Sequence, residues 1–373
     1  MLRIGIECES IEDLETWGVG REVRATLQNI ALRPELKKEF RFFLFFKSKI
    51  PDLPYLNDPI FEKKLIRVPF GSFSLYYYLF LPIYLWFQDL DAFYFPNYML
   101  PVIFRGKSLV ALTDDVYYEA RSDKLPFRYR FAYRIFSTWA AKHATKIMTF
   151  SESSRRAVSR LYKIPIEKIY SNYHGVDISS FPAISHKLPA VSYGLYIGQA
   201  FPRRHLKETL LAFEKISPRF PELNFIAVGK DKYQPPIIFN LVKDINNHLG
   251  REAIRYETYV SEEELLNLYR GAKFVAYVSE QEAFGLPPIE ALGHGSVPVV
   301  ADVEITREIF GNNAFFVQNP ISVETIADAM SRALTDEAKR NDIRSAAKNI
   351  VAKLTWSKHA ENFLEIIKIT ACL

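Results

Sequence analysis

A chain of 373 residues is longer than one typical domain and suits two. Its 49% hydrophobic and 24% charged residues are those of a globular protein, which excludes a disordered or fibrous chain. Two cysteines, Cys8 and Cys372, form neither a disulfide framework nor a metal cluster, which fits a reducing, cytoplasmic setting.

A first strand is expected at 3–8, with no apolar leader in front of it. Trp17-Gly18-Val19-Gly20-Arg21 follows and leads into a helical pattern over 23–31. Its glycines let backbone approach a ligand closely, although a tight turn would use the same pair. Further strands are expected at 40–46 and 65–69. The apolar run 75–87 is shorter than the roughly 20 residues that span a bilayer, and Pro82 interrupts it, so no membrane-spanning helix is expected. Asp89-Leu90-Asp91 has the D-x-D spacing of a metal motif, but it sits at the entry of a strand at 92–95, where a solvated pair is the simpler reading. The seven histidines show no ligand spacing, and no metal is expected.

A strand at 108–112 ends on Thr113-Asp114-Asp115. The next stretch, up to residue 146, interleaves Arg128, Arg130, Arg134 and Lys142 with Phe131, Tyr133, Phe136 and Trp139. This pattern suits a helix with one solvated face, or one that touches an anionic membrane surface. No nucleic-acid module is recognisable. The basic excess lies in this half: residues 1–185 carry 26 Lys+Arg against 20 Asp+Glu, a net of +6, and the remainder carries a net of −1. Strands at 146–150 and 168–170 precede His174-Gly175-Val176-Asp177 and a polar linker at 177–192.

A second series of strands is expected at 194–197, 224–228, 254–256, 274–278, 297–300 and 315–317. Strand–helix alternation that occurs twice predicts two doubly wound, Rossmann-like α/β domains, 1–180 and 190–354, with ligand at the strand carboxyl ends in a cleft. The final segment, 355–373, repeats apolar residues at Trp356, Ala360, Phe363 and Ile367, the spacing of a one-faced helix.

The second half holds the more specific chemistry. Gly198-Gln199-Ala200-Phe201-Pro202-Arg203-Arg204 follows a strand and precedes a helix, so it presents two cations on a loop. Tyr259-Val260-Ser261 ends another strand and leads into a capped helix start. Glu282-Ala283-Phe284-Gly285-Leu286-Pro287-Pro288-Ile289-Glu290 sets two carboxylates around a turn that opens a helix. The prolines suit a helix start, Glu282 is expected on the loop and Glu290 in the first helical turn. Free backbone amides at such a start can hold a phosphate, and carboxylates accept hydrogen bonds from sugar hydroxyls.

Glu282-x-Phe284-Gly285-Leu286-Pro287-x-x-Glu290-Ala291 resembles the E-x7-E signature of retaining glycosyltransferases of family GT4, which have the GT-B fold. The Pro202-Arg203-Arg204 run resembles that family's P-R-K loop with Arg204 in place of lysine. Gly18-Val19-Gly20-Arg21 resembles its G-x-G-R loop, and His174-Gly175-Val176-Asp177 its N-G-V-D loop. The resemblance implies a nucleotide-diphosphate sugar donor, a saccharide acceptor, retention and no metal cofactor. It implies donor contacts by Gly18, Gly20, Arg203, Arg204, Glu282, Phe284, Gly285, Leu286 and Glu290, and by the backbone at Val260. It also implies a terminal helix that crosses back onto the first domain. Asp114 stands where related sequences have histidine, which implies altered sugar choice or impaired catalysis, while Asp115 could simply cap the next segment. The pattern is closest to mannosyltransferase-like members and leans toward a GDP-linked sugar. A GT-B scaffold without turnover, or a membrane-associated binding protein, is the alternative.

Overall fold

The computed structural model describes residues 1–13, 18–119, 121, 127–176 and 192–373. Trp17, Asp177 and the expected linker at 177–192, apart from Ser192, lie outside the described residues. The chain divides into two units, Met1–Gly175 with Thr355–Leu373, and Val176–Leu354.

The first unit is built on strands β1 (Leu2–Glu7), β2 (Phe40–Phe46), β3 (Phe61–Leu65), β4 (Ala92–Phe95), β5 (Ser108–Ala111), β6 (Lys146–Thr149) and β7 (Ile169–Ser171). All pair in parallel, in the order β3-β2-β1-β4-β5-β6-β7. Parallel sheets are covered on both faces, so their inner strands read as continuous apolar runs, as in Phe40-Arg-Phe-Phe-Leu-Phe-Phe46. Alternation sends Phe42, Leu44 and Phe46 into one layer, with Val23, Leu27 and Phe363. Phe43 and Phe45 enter the other layer, with Tyr76, Tyr77 and Ala140.

The third strand lies four residues earlier than the expected 65–69. Its sequence, Phe61-Glu-Lys-Lys-Leu65, has little apolar content, because β3 is an edge strand paired only with β2 and can keep its charges solvated. The apolar run beyond it is helical, in pieces Phe73–Leu75, a π turn at Tyr76–Phe80, and Leu81–Leu85. Among the described residues no helix is long and apolar enough to cross a membrane.

The last helix, Trp356–Cys372, packs on the first unit and buries Trp356, Ala360, Phe363 and Ile367. Thr355 caps it by accepting from the Lys358 amide at 3.1 Å. Its His359 ring lies between the Glu22 carboxylate (3.1 Å) and the Tyr173 carbonyl (2.9 Å), inside the apolar layer. At the point of return, a Cβ on Gly175 would stand 2.1 Å from the Trp356 nitrogen, so only glycine fits there.

The second unit has strands β8 (Ser192–Ile197), β9 (Leu223–Val228), β10 (Ile254–Glu257), β11 (Phe274–Tyr277), β12 (Val297–Ala301) and β13 (Phe315–Val317), in the parallel order β10-β9-β8-β11-β12-β13. In both sheets the strand order reverses once, at β1/β4 and at β8/β11. In open α/β sheets such a reversal leaves a crevice at the strand carboxyl ends.

Candidate functional site

The reversal in the second sheet gathers the motifs of that half. β8 ends at Ile197 and runs through Gly198 into a turn at Pro202–Arg204 and the helix Leu206–Ile216. Its neighbour β11 ends at Tyr277 and runs through 279–285 into the helix Leu286–Gly293. Because β8 and β11 pair directly, the two loops leave the sheet side by side.

Arg204 and Glu282 meet there in a two-point ion pair, Nε to Oε1 at 2.5 Å and Nη2 to Oε2 at 3.1 Å. The side chains are 14% and 13% exposed, so the pair is largely shielded from water. Ser279 Oγ donates to the same carboxylate at 3.0 Å, and Arg204 Nη1 donates to the Gln199 carbonyl at 3.1 Å. The Tyr277 ring lies 5.2 Å from the guanidinium. Burial alone would push the Glu282 carboxyl upward; Arg204, with Arg203 and Ser279, outweighs it and holds the carboxyl below its ordinary range. Glu282 is therefore ionised at neutral pH, and Arg204 is held firmly charged by its partner. Arg203 Nε donates to the Gln281 carbonyl at 3.3 Å.

Gly285 precedes the helix with φ at 84°, and the helix begins at Leu286 with the two prolines in its opening positions. Glu290 is thus the fifth helical residue, just beyond the first turn expected from the sequence. It is 8% exposed and accepts from Tyr269 Oη at 2.9 Å. The reason lies in the start: the helix opens at Leu286, directly after the left-handed Gly285 and one residue before Pro287, and the position is covered by Tyr269 and the His294 ring stacked on it. Phe284 is buried beneath the turn, and Leu286 is half-buried at the helix start.

The carboxyl ends of β8 and β9 press together. A Cβ on Gly229, whose φ is 142°, would lie 1.9 Å from the Gly198 carbonyl oxygen. Val260 is buried in the cluster with Tyr193, Leu195 and Val228, so only its backbone could serve a ligand. Ser261 caps the following helix, Glu262–Gly271, by accepting from the Glu264 amide at 3.2 Å.

In the first unit, Gly18 caps the helix Val19–Ala31 with φ at 63°, and Gly20 is buried in its first turn. Both follow β1, at that sheet's own reversal. Asp114 opens the helix Asp114–Glu119 and accepts from Ser154 Oγ at 2.6 Å, while Asp115 accepts from Thr113 Oγ1 at 2.5 Å. Asp89 and Asp91 lie at the opposite end of the sheet: Asp91 accepts from the Arg3 amide at 2.7 Å, beside the starts of β1 and β4, and Asp89 is almost fully exposed. Among the described residues no three His, Cys, Asp or Glu side chains gather as metal ligands.

The sequence motifs did not mark Tyr277, Ser279, His205 or Glu280, which complete the paired loops. Their only signal was position: Tyr277 ends β11, and the other three lie on the loops that follow β8 and β11.

Residues 186–350 match the family described as Glycosyl transferases group 1. The chain is 26% identical over 240 residues to the O-antigen chain mannosyltransferase B of Escherichia coli, a stretch that is 61% of this chain and 61% of that protein. The chain thus spans less than two thirds of that relative's length. Its structure superposes on the sucrose-phosphate synthase of Thermosynechococcus elongatus with a TM-score of 0.75, at 15% identity, over 99% of this chain and 98% of that one. HepE of Anabaena, solved with UDP-glucose, superposes with a TM-score of 0.70, at 16% identity, over 99% and 100%.

Proposed function

Starting from a chain that is GT4-like in sequence and GT-B in fold, we propose that it transfers a hexose from a nucleotide-diphosphate sugar to a saccharide acceptor. The observation that carries this is the buried Arg204–Glu282 pair beside the start of the Leu286–Gly293 helix. When the nucleoside diphosphate leaves, negative charge accumulates on its β-phosphate. Arg203 and Arg204 offer planar, two-point cations for that charge, and the helix start offers backbone amides. A diphosphate competes with Glu282 for Arg204. The carboxylate it displaces is then free to accept hydrogen bonds from the sugar hydroxyls. Glu290, with Tyr269, would take the ribose hydroxyls, and Phe284, Gly285 and Leu286 would present backbone to sugar and phosphate. Gly18 and Gly20 would offer backbone to the donor, and Val260 would meet the base through its backbone.

Retention is part of the proposal, by same-face substitution within an ion pair, with Asp114 near the reacting sugar. Ser154 fixes that carboxylate in place. The donor leans toward GDP-mannose, in keeping with the mannosyltransferase named above, and the UDP-glucose complex of HepE makes a UDP-sugar the first competitor. The product would belong to a cell-envelope polysaccharide or glycoconjugate.

Arg204→Ala and Glu290→Ala should each lower kcat/KM for the donor by roughly 10–150-fold, the cost of a charge-assisted contact of about 1.5–3 kcal/mol. Wild-type rates in both variants would remove the site assignment. Transfer should also persist in excess EDTA, since arginines take the cation's role. Complete loss, restored by Mn²⁺ or Mg²⁺, would reject metal independence.

A specific surface favours a lipid-linked acceptor. Between Leu65 and Gln88 the only charged residue is Arg67, yet Phe70, Leu79, Trp86 and Phe87 of this stretch are exposed, Phe70 fully. Arg105 stacks on Trp86 at 4.8 Å. Apolar residues beside isolated cations suit the interface of an anionic membrane. A GT-B scaffold that binds such a membrane without turnover is the competing reading, and the donor assays separate the two.

A further inference from the structure

His205 closes the Arg203–Arg204 turn in a left-handed conformation, φ 47° and ψ 35°. Few residues other than glycine enter this region, histidine and asparagine among them, and a side chain held there is worth examining for its contacts. Contacts are visible on both sides of the ring. Nδ1 lies 3.5 Å from Glu208 Oε2, on the helix that follows, and Nε2 lies 3.1 Å from Glu280 Oε1, on the neighbouring loop. Neither approach has hydrogen-bond geometry, so each is a contact of charge with charge, and carboxylates beside both nitrogens favour the doubly protonated ring. The backbone joins the same two loops, with the Glu280 amide donating to the Arg203 carbonyl at 3.1 Å. Thr209 holds the His205 carbonyl through its amide (2.8 Å) and its hydroxyl (2.7 Å), which anchors the backbone of His205 at the helix start.

We infer that His205 is a positioning residue for the donor-phosphate loop: as an imidazolium it bridges Glu208 and Glu280 and so fixes Arg203 and Arg204 against the 279–285 loop. This rests on the donor reading above and adds residues that no sequence motif marked. The charged groups around the ring are Glu208 and Glu280, with Arg203 and Arg204 on its own turn. Tyr233 lies beside Glu208, and its hydroxyl accepts from the Lys207 amide at 3.5 Å. Burial works against a charge on His205, but the two carboxylates outweigh it and raise the ring above its ordinary 6.5. The sign follows: the bridge is complete below 6.5 and is lost as pH rises through the raised value.

Two measurements test this. The first is an NMR pH titration of the His205 ring in the protein without nucleotide, in wild type and in Glu280→Gln. The ring should titrate above its ordinary value, the amides of 279–283 should shift with the same midpoint, and Glu280→Gln should lower that midpoint. A ring that titrates at or below the ordinary value, unmoved by Glu280→Gln, overturns the inference. The second is calorimetric binding of UDP and GDP to wild type and to His205→Asn, which keeps a residue tolerant of the left-handed backbone. The ratio of the two affinities cancels the nucleotide's own titration. It should favour wild type by about 3–10-fold at pH 6 and approach unity by pH 9, the range expected of a partly exposed charge pair. A ratio that stays constant with pH overturns the positioning role. If wild type binds neither nucleotide at any pH, the donor reading fails instead, and the NMR titration alone decides the bridge.

Discussion

Arg204 shows how a residue's type and its surroundings answer different questions. Its charge and place after a strand are written in the chain, and its partner is not. A lysine could neutralise a phosphate, but it could not hold both oxygens of Glu282 while also donating to the Gln199 carbonyl, as the planar guanidinium does. Glu7 gives the sharper test at this scale. It stands at the carboxyl end of β1, fully buried, and accepts from the Glu9 amide at 2.8 Å. Burial, with some repulsion from Glu9 and Glu12, raises its pKa from 4.5 to about 8. The fold therefore favours the neutral acid. Its contribution is complete below pH 4.5 and is lost as pH rises through about 8, a cost on the order of 5 kcal/mol once the group is ionised. Glu7→Gln should remove this dependence. The thermal midpoint of the variant should overtake that of wild type as pH rises from about 5 to 9, and parallel curves across that range would mean Glu7 is not the titrating group.

At the scale of elements, the helix Trp356–Cys372 and the loop at Gly175 form one joint. The helix buries an apolar stripe in the first unit and carries His359 into contact with Glu22 and Tyr173. Glu22 also accepts from Tyr94 Oη at 3.2 Å, so a polar cluster is enclosed by apolar layers, where each member needs its partner. The backbone approach at Gly175 makes this closeness possible. Gly175→Ala places a methyl group where the Trp356 nitrogen stands, so strand end or helix must move. The expected loss is about 1–3 kcal/mol in chemical denaturation, as for overpacking elsewhere. Unchanged stability would show that the joint yields freely.

Across the whole chain, charge and apolar exposure concentrate in the same half. The net +6 lies in residues 1–185, and the exposed Phe70, Trp86 and Phe87 lie there too. Peripheral attachment through this half should show as co-sedimentation with liposomes that contain anionic lipid. Binding should fall as salt rises, because screening at about 0.15 M already limits such attraction to roughly 8 Å. Protein that stays in the supernatant at low salt would point to a soluble saccharide acceptor.

The sequence alone determined the two-fold alternation of strand and helix, most strand positions, the helix start at Pro287 and Pro288, and the apolar stripe of the last helix. These depend on local periodicity and on residues with fixed backbone preferences. The D-x-D pair precedes its strand in the sequence, and Asp91 accepts from the Arg3 amide at the entry end of the sheet. The third strand escaped the periodicity because an edge strand is specified by its neighbour rather than by its own apolar content. Only the tertiary structure decided which side chains face one another. Arg204 and Glu282, His205 and Glu280, and Glu290 and Tyr269 are far apart along the chain. They meet because the strand order reverses between β8 and β11 and the helix after Gly285 starts where a left-handed glycine allows. Pairing across a sheet is a property of the order of strands, and no window of sequence contains it.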